Sequence, residues 1–413
     1  MLAAAVPLLF LHRHYQPSIT LGSADVDLSD AAVIAVCIAA LTSWRRLSTG
    51  LLAVVPLAVA VVAWTAWGGA HFAGYATHSH LVTAGKWVEY MLLAPAVTLI
   101  VRRERDLAPA AYVAVAWSVV VSAIGVLQFF GVLGDLENTP AGRRKSSLLG
   151  YHDFSGFSAA VLALSLLVII TGRGPRRVAF VGVVSGSVGM VVGGAFDAVV
   201  GEIAAVALIA LACRVREPRR VAVLAGALAV VVVGTFAIRS QAVADGLKFL
   251  GIKQGSGGAS QNVQSYRQRA LLAYIGGRIF LAHPLLGVGY DGSNDEFAYH
   301  PYLADAKRKF DQPAEALPSP AHQWGVQNAY VQSLADFGVL GIFFFLGATL
   351  LPAWWAIRRG ARPFAVAAAA VVFVALGVWN GFGLIAGIPL DALTWLGVGA
   401  CFVSLREMGE TAR

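Results

Sequence analysis

Long apolar runs separated by short polar joints dominate the pattern of this chain. The runs lie near residues 1–12, 29–44, 51–67, 82–101, 108–130, 155–171, 178–194, 198–213, 221–238, 329–356, 363–383 and 389–405. Read with a bilayer-length window, they predict about twelve membrane-crossing helices. The joints alternate in charge. Arg45 with Arg46, Arg102 with Arg103 and Arg105, Arg173 with Arg176 and Arg177, the run from Arg214 to Arg220, and Arg358 with Arg359 and Arg362 all fall on one side. Basic residues accumulate on the cytoplasmic side of membrane proteins, so that side is assigned to the cytoplasm. Both termini are then cytoplasmic, and the loops 13–28, 68–81, 131–154 and 239–328 face outward. The expected organisation is helices 1 to 9 over residues 1–238, one large external loop over 239–328, and helices 10 to 12 over 329–413.

The long loop has its own pattern. GSGGAS at 255–260 reads as a flexible stretch. Over 264–282, Leu271, Leu272, Ile275, Ile279 and Phe280 recur at helical spacing before Pro284 stops the helix. Arg267, Arg269 and Arg278 offer polar anchors, so this amphipathic helix is expected to lie flat on the outer membrane face. HPLLGVGYDGSNDEF follows, and its glycines permit a tight turn that brings backbone N–H groups close to a ligand.

Composition agrees with the pattern. The chain has 413 residues, 58% of them hydrophobic and 13% charged, with a mean hydropathy of +0.70. These values describe an all-α polytopic membrane protein. The net charge of +8 sits in clusters at the joints, which fits topology rather than a polyanion surface, and no nucleic-acid partner is expected. Cys37, Cys213 and Cys401 lack disulfide-like or metal-like spacing and read as packing residues. The stretch from Met1 to Leu11 has no small-residue cleavage site after it, so it reads as a short first span rather than a leader.

One constellation is more specific. Arg269, a helix, then His283-Pro284-Leu285-Leu286-Gly287-Val288-Gly289, a variable stretch, and Asn328 opening a helix with Gly338-Val339-Leu340-Gly341 follow one another in order. This arrangement resembles the signature of the O-antigen ligase and O-antigen polymerase superfamily. It is carried by residues 266–341, and the span pattern and the large loop agree with it elsewhere. The resemblance implies a GT-C type membrane glycosyltransferase that is inverting, metal-independent and without cofactor. Such an enzyme takes a glycan from a polyprenyl diphosphate, here undecaprenyl diphosphate in the cytoplasmic (inner) membrane of a bacterium. The acceptor is a hydroxyl of a growing glycan or of a lipid carrier, so polymerase and ligase remain alternatives.

The chain departs from the family at two points. The position before Asn328, usually a His that acts on the acceptor hydroxyl, is Gln327, and a Gln cannot take a proton at neutral pH. Near the start of the eighth span, where a Ser-Arg pair is common, the sequence reads VVGGAFDAVVGEI, with Asp197 and no arginine. Substitutes lie on the same side. His322, Gln327 and Asp197 are the candidates for handling the acceptor proton, His322 first because it is close in sequence. Arg269, Lys86, Arg143, Arg144 and Lys145 are the candidate diphosphate ligands, because guanidinium and ammonium groups match phosphate oxygens. His152, Asp153, Glu202, His300 and Asn328 are further candidates for the same cavity.

Each has a plainer reading. Arg269 also fits an interfacial residue whose stem lies along apolar surface. The basic triplet 143–145 fits a solvated loop, His283 fits a helix-end cap, and Asp197 fits an N-cap. Glu202 lies at membrane depth, where ionisable groups face a cavity or a partner. Two other functions stay open: a non-catalytic relative that binds glycan or lipid, and a transporter or flippase for a lipid-linked or anionic solute. A transporter should show internal repeats with broken helices, and none is evident.

Overall fold

The computed structural model describes the whole chain except residues 22–23, 43–49, 137, 241–242, 245–265, 311, 323, 359–361 and 412–413. The stretch 255–260 and Arg45, Arg46 and Arg359 therefore lie outside the described residues. The architecture is nearly all-α. In chain order the helices are α1 (Leu2–Leu9), α2 (Leu28–Leu41), α3 (Leu51–His71), α4 (Thr77–Met91), α5 (Leu93–Ile100), α6 (Ala108–Phe129), α7 (Tyr151–Thr171) and α8 (Arg176–Gly193). There follow α9 (Phe196–Ala212), α10 (Pro218–Ile238), α11 (Tyr266–Ala282), α12 (Glu296–Phe310), α13 (Ala329–Arg358), α14 (Pro363–Trp379) and α15 (Pro389–Thr411). Between α1 and α2, β1 (Ser18–Leu21) pairs antiparallel with β2 (Ala24–Asp27), so the expected loop 13–28 holds a small hairpin.

Among the described residues, six helices are long and apolar enough to cross a membrane: Leu51–His71, Glu104–Phe129, Tyr151–Thr171, Arg176–Gly193, Pro218–Ile238 and Ala329–Arg358. The chain is a multi-pass membrane protein. Most of the other predicted spans form shorter or divided helices, while the run 389–405 lies in the 23-residue α15. The first is a helix of 8 residues, about 12 Å long at 1.5 Å per residue, against a hydrocarbon core of about 30 Å. The run 82–101 is divided at Leu92 into α4 and α5.

Helices α7 and α14 form the centre, with most residues of each buried. Small residues allow this. Gly182, Gly186, Gly189 and Gly193 of α8 face Ser165, Ser158 and Leu162, Ser158 again, and Ser155 of α7, each so close that a Cβ would collide. In lipid, where apolar burial does not drive helices together, such backbone proximity supplies the packing. A second crossing positions the site. A Cβ on Gly377 of α14 would lie 2.3 Å from the Cα of Gly201 on α9, so these backbones touch just below the start of α9.

The polar segment 266–328 docks through the signature turn. The backbone of α13 breaks at Gly338, whose φ of 65° and ψ of −163° only glycine adopts readily. Val339 N–H donates to Pro284 O at 2.9 Å, Val288 N–H to Ala335 O at 3.0 Å, and Gly289 N–H to Asp336 O at 2.9 Å. A Cβ on Gly287 would meet the Asp336 carbonyl carbon at 2.3 Å, and one on Gly338 the Leu285 carbonyl carbon at 2.3 Å. The two glycine-containing motifs are thus the two halves of one backbone joint. Trp64 of α3 clamps it, donating from Nε1 to Leu286 O at 2.8 Å.

The amphipathic helix forms, but its apolar stripe does not face a membrane surface. Leu271, Leu272, Ile275 and Ile279 are buried with Val288, Ala298, Tyr299, Ala306 and Ala335. Helix α12, in the stretch whose sequence predicts only loop, covers the stripe together with the first turns of α13. This corrects the expectation that the stripe rests on the membrane face.

Candidate functional site

The first turns of α7, α9 and α11 meet at one point. Gly150, at a φ of 97°, ends the preceding joint, and His152 follows in the first turn of α7. Asp197 sits in the first turn of α9, where no side chain caps the helix. Its carboxylate is directed to the imidazole instead, with His152 Nδ1 and Asp197 Oδ2 2.6 Å apart. Arg269, in the first turn of α11, brings a guanidinium nitrogen to 3.2 Å from His152 Nε2. A guanidinium has only donors. Nε2 therefore accepts, Nδ1 carries the proton and donates it to Asp197, and the imidazole is neutral in this arrangement. The His152 side chain is only 12% exposed.

The joint between α14 and α15 closes the site from beside. Gly381 approaches so near that a Cβ there would lie 3.0 Å from His152 Nδ1 and would overlap the Asp197 carboxylate. Phe382 lies against the imidazole, with ring centroids 4.8 Å apart. The same joint holds the start of α13. Asn328 donates from Nδ2 to Asn380 Oδ1 at 2.7 Å and to Asn380 O at 3.1 Å, while its own Oδ1 accepts the N–H groups of Tyr330 and Val331. Gly383 packs against the Val326 carbonyl. Val326 and Asn328, the neighbours of half-buried Gln327, thus both contact the joint that touches His152 and Asp197.

Two further arginines stand around the starts of α7 and α9. Arg144 lies over the Tyr151 ring, 4.2 Å from its centroid. Arg239, just past the end of α10, lies 5.1 Å over the Phe196 ring and donates to Gly194 O at 3.1 Å. Gly194 stands between them: a Cβ there would be 3.3 Å from Arg144 Cβ and 3.5 Å from Arg239 Cγ. The sequence reading missed Arg239. It lacks an arginine in the VVGGAFDAVVGEI stretch, yet Arg239 of another helix occupies that neighbourhood in space. The available signal was an arginine at the outward end of a predicted span, against the charge rule, as in the triplet 143–145.

Other candidates lie elsewhere or are already engaged. Lys145 is buried, 3.3 Å from Asp135 Oδ2 and donating to Thr139 O at 2.6 Å, so its charge is spent within the joint before α7. Arg143 is exposed. Lys86 pairs with Asp30 at 3.1 Å and Asp27 at 3.4 Å, at the start of α2. Asp153 accepts the Leu390 N–H at 2.8 Å and so anchors α15. His322 is exposed in a tight turn, its N–H donating to Ser319 O and Oγ. His300 is exposed on α12. His283 ends α11, its N–H bonded to Ile279 O, as a capping residue would be. Glu202 is wholly buried in α9, and neither carboxylate oxygen has a hydrogen-bond partner among the described residues. Among the described residues no group of three or more His, Cys, Asp or Glu could hold a metal ion.

A site that gathers arginines and a His–Asp pair at the ends of membrane helices suits an anionic substrate whose reaction moves a proton. The model of the O-antigen ligase family matches residues 198–346. The match runs from the first turn of α9 into α13, taking in Arg239, Arg269, Asn328 and both halves of the backbone joint, and it supports assignment of the chain to the O-antigen ligase and polymerase superfamily. No curated protein matches the chain.

Proposed function

We propose that the chain acts as this superfamily assignment implies, transferring a glycan from a polyprenyl diphosphate to an acceptor hydroxyl at the outer face of the cytoplasmic membrane. The observation that carries the reading is the meeting of Arg144, Arg239 and Arg269, from three separate parts of the chain, around the starts of α7 and α9. Breaking the bond between the anomeric carbon and the diphosphate places negative charge on the leaving group, so the main demand is fixed positive charge beside it. Arginine suits this demand, because its planar fork matches phosphate oxygens in pairs. The acceptor hydroxyl attacks from the opposite face, which inverts the anomeric configuration. Ligase and polymerase share this chemistry and differ only in the acceptor.

A second reading, a non-catalytic relative that binds the lipid-linked glycan, is favoured by Gln327 at the position where the family has a proton acceptor. One experiment separates the two. Arg239→Ala and Arg269→Ala are compared with the wild type for binding of undecaprenyl diphosphate and for glycan transfer in a complemented deletion strain. The enzyme reading expects each substitution to weaken binding and to lower transfer by about 100-fold or more, the effect of losing one preorganised donor. Normal surface glycan from both variants at matched protein level would refute it. Binding of undecaprenyl diphosphate without any transfer by the wild type would select the second reading.

A further inference from the structure

We propose that His152, held by Asp197, is the proton acceptor for the attacking hydroxyl, and that binding of the donor at Arg269 uncovers it. The inference rests on the glycan-transfer reading and adds the base which that reading lacks. Gln327 cannot take a proton at neutral pH. Its neighbours Val326 and Asn328 contact the joint 380–383, whose Gly381 and Phe382 lie against Asp197 and His152, so one short loop packs both on the imidazole and on the stretch where the family has its histidine. The Nδ1 proton is fixed on Asp197 at 2.6 Å, which leaves Nε2 as the basic atom and provides a carboxylate to stabilise the imidazolium that forms.

In the structure Nε2 is occupied by Arg269 at 3.2 Å. An inverting attack needs the hydroxyl and the leaving diphosphate on opposite faces of the anomeric carbon. The guanidinium therefore cannot hold the diphosphate and remain on the imidazole, and its transfer to the phosphate oxygens exposes Nε2. His152 Nε2 then takes the hydroxyl proton while the oxygen bonds to the anomeric carbon. The bond from that carbon to the diphosphate oxygen breaks, and its electron pair leaves with the polyprenyl diphosphate. The imidazolium later returns its proton to water. The charged groups facing His152 are Asp197 from α9, Arg269 from α11 and Arg144 from the joint before α7. Asp153, beside it on α7, is engaged with the Leu390 amide.

The test uses purified full-length protein, undecaprenyl diphosphate as the binding probe, and transfer from lipid-linked glycan to envelope acceptor, both extracted from a deletion strain. His152→Ala and His152→Gln should bind the probe within about three-fold of wild type and transfer at least about 100-fold more slowly, the usual weight of a general base. Gln preserves a hydrogen bond to Asp197, so it serves where Ala does not fold. Asp197→Asn should lower kcat about ten-fold or more, leave the KM for donor little changed, and move the acid limb of the kcat profile to lower pH, because the imidazolium loses its carboxylate. His300→Ala should match the wild type. Wild-type transfer by both His152 variants, an unmoved acid limb in Asp197→Asn, or loss of probe binding in step with transfer would each overturn the assignment. The last outcome would leave His152 as a support for Arg269. If the wild type neither binds nor transfers, the glycan-transfer reading itself falls.

Discussion

Replacing His80 by Gln should weaken the attachment of the polar segment in a way that depends on pH. His80 lies at the start of α4, outside the predicted span 82–101, with Nε2 2.8 Å from Asp295 Oδ2 and Nδ1 3.4 Å from Asp291 Oδ2. Burial alone would lower its pKa, but the hydrogen bonds and charges of Asp291 and Asp295 outweigh it and raise the pKa from 6.5 to about 9. At 1.36 kcal/mol per unit this corresponds to about 3 kcal/mol of stabilisation. A raised pKa fixes the sign: the contribution is complete below pH 6.5, fades above it and is gone once the pH passes about 9. Hydrogen exchange in detergent reads it locally, at the amides of Gly292, Asn294, Asp295 and Ala298, which close the turns around the clamp. The gap in opening free energy between wild type and His80→Gln should be about 3 kcal/mol at pH 6 and close toward zero by pH 10. A gap of the same size at both pH values would refute a charged clamp and leave only a packing role.

Gly338→Ala should destabilise the protein by about 3 kcal/mol or more, since it combines a backbone region reserved for glycine with a collision against the Leu285 carbonyl; unfolding in detergent measures it, and a neutral result would mean the joint at Pro284 and Val339 is not formed. Gly189→Leu should cost about 1–3 kcal/mol by overpacking the α7 and α8 seam, where its Cβ would meet Ser158 Oγ at 2.2 Å; the same substitution at Gly226, which has open space around it, should be close to neutral, and equal effects would refute the seam. Arg269→Lys keeps the charge but loses the fork, so transfer should fall well below wild type with normal expression; wild-type glycan length would contradict bidentate recognition.

The sequence made legible what depends on composition and local pattern. The lipid-facing helices announce themselves by apolar length, and Arg269 and the His-Pro turn by order and spacing. That turn and Gly338 belong to one signature in the sequence, although only the structure gives its meaning as two backbones in contact. What was hidden depends on distant residues meeting. Arg239 reads as the first residue of a loop until α10 brings it over Phe196. His152 and Arg269 are 117 positions apart, and no local pattern links them. Nearness in sequence points to His322, whereas the joint 380–383, which carries no titratable side chain, packs on both His152 and the neighbours of Gln327. The stripe of α11 had the right periodicity, but periodicity does not say whether lipid or α12 covers it.

The most direct test of the account is a structure of the protein with undecaprenyl diphosphate bound. The account predicts the phosphates within hydrogen-bond distance of Arg269 and Arg239, beside the starts of α7 and α9, with the Arg269 guanidinium moved off His152 Nε2. A diphosphate bound at Lys86, or at the exposed surface with the contact between Arg269 and His152 intact, would contradict it.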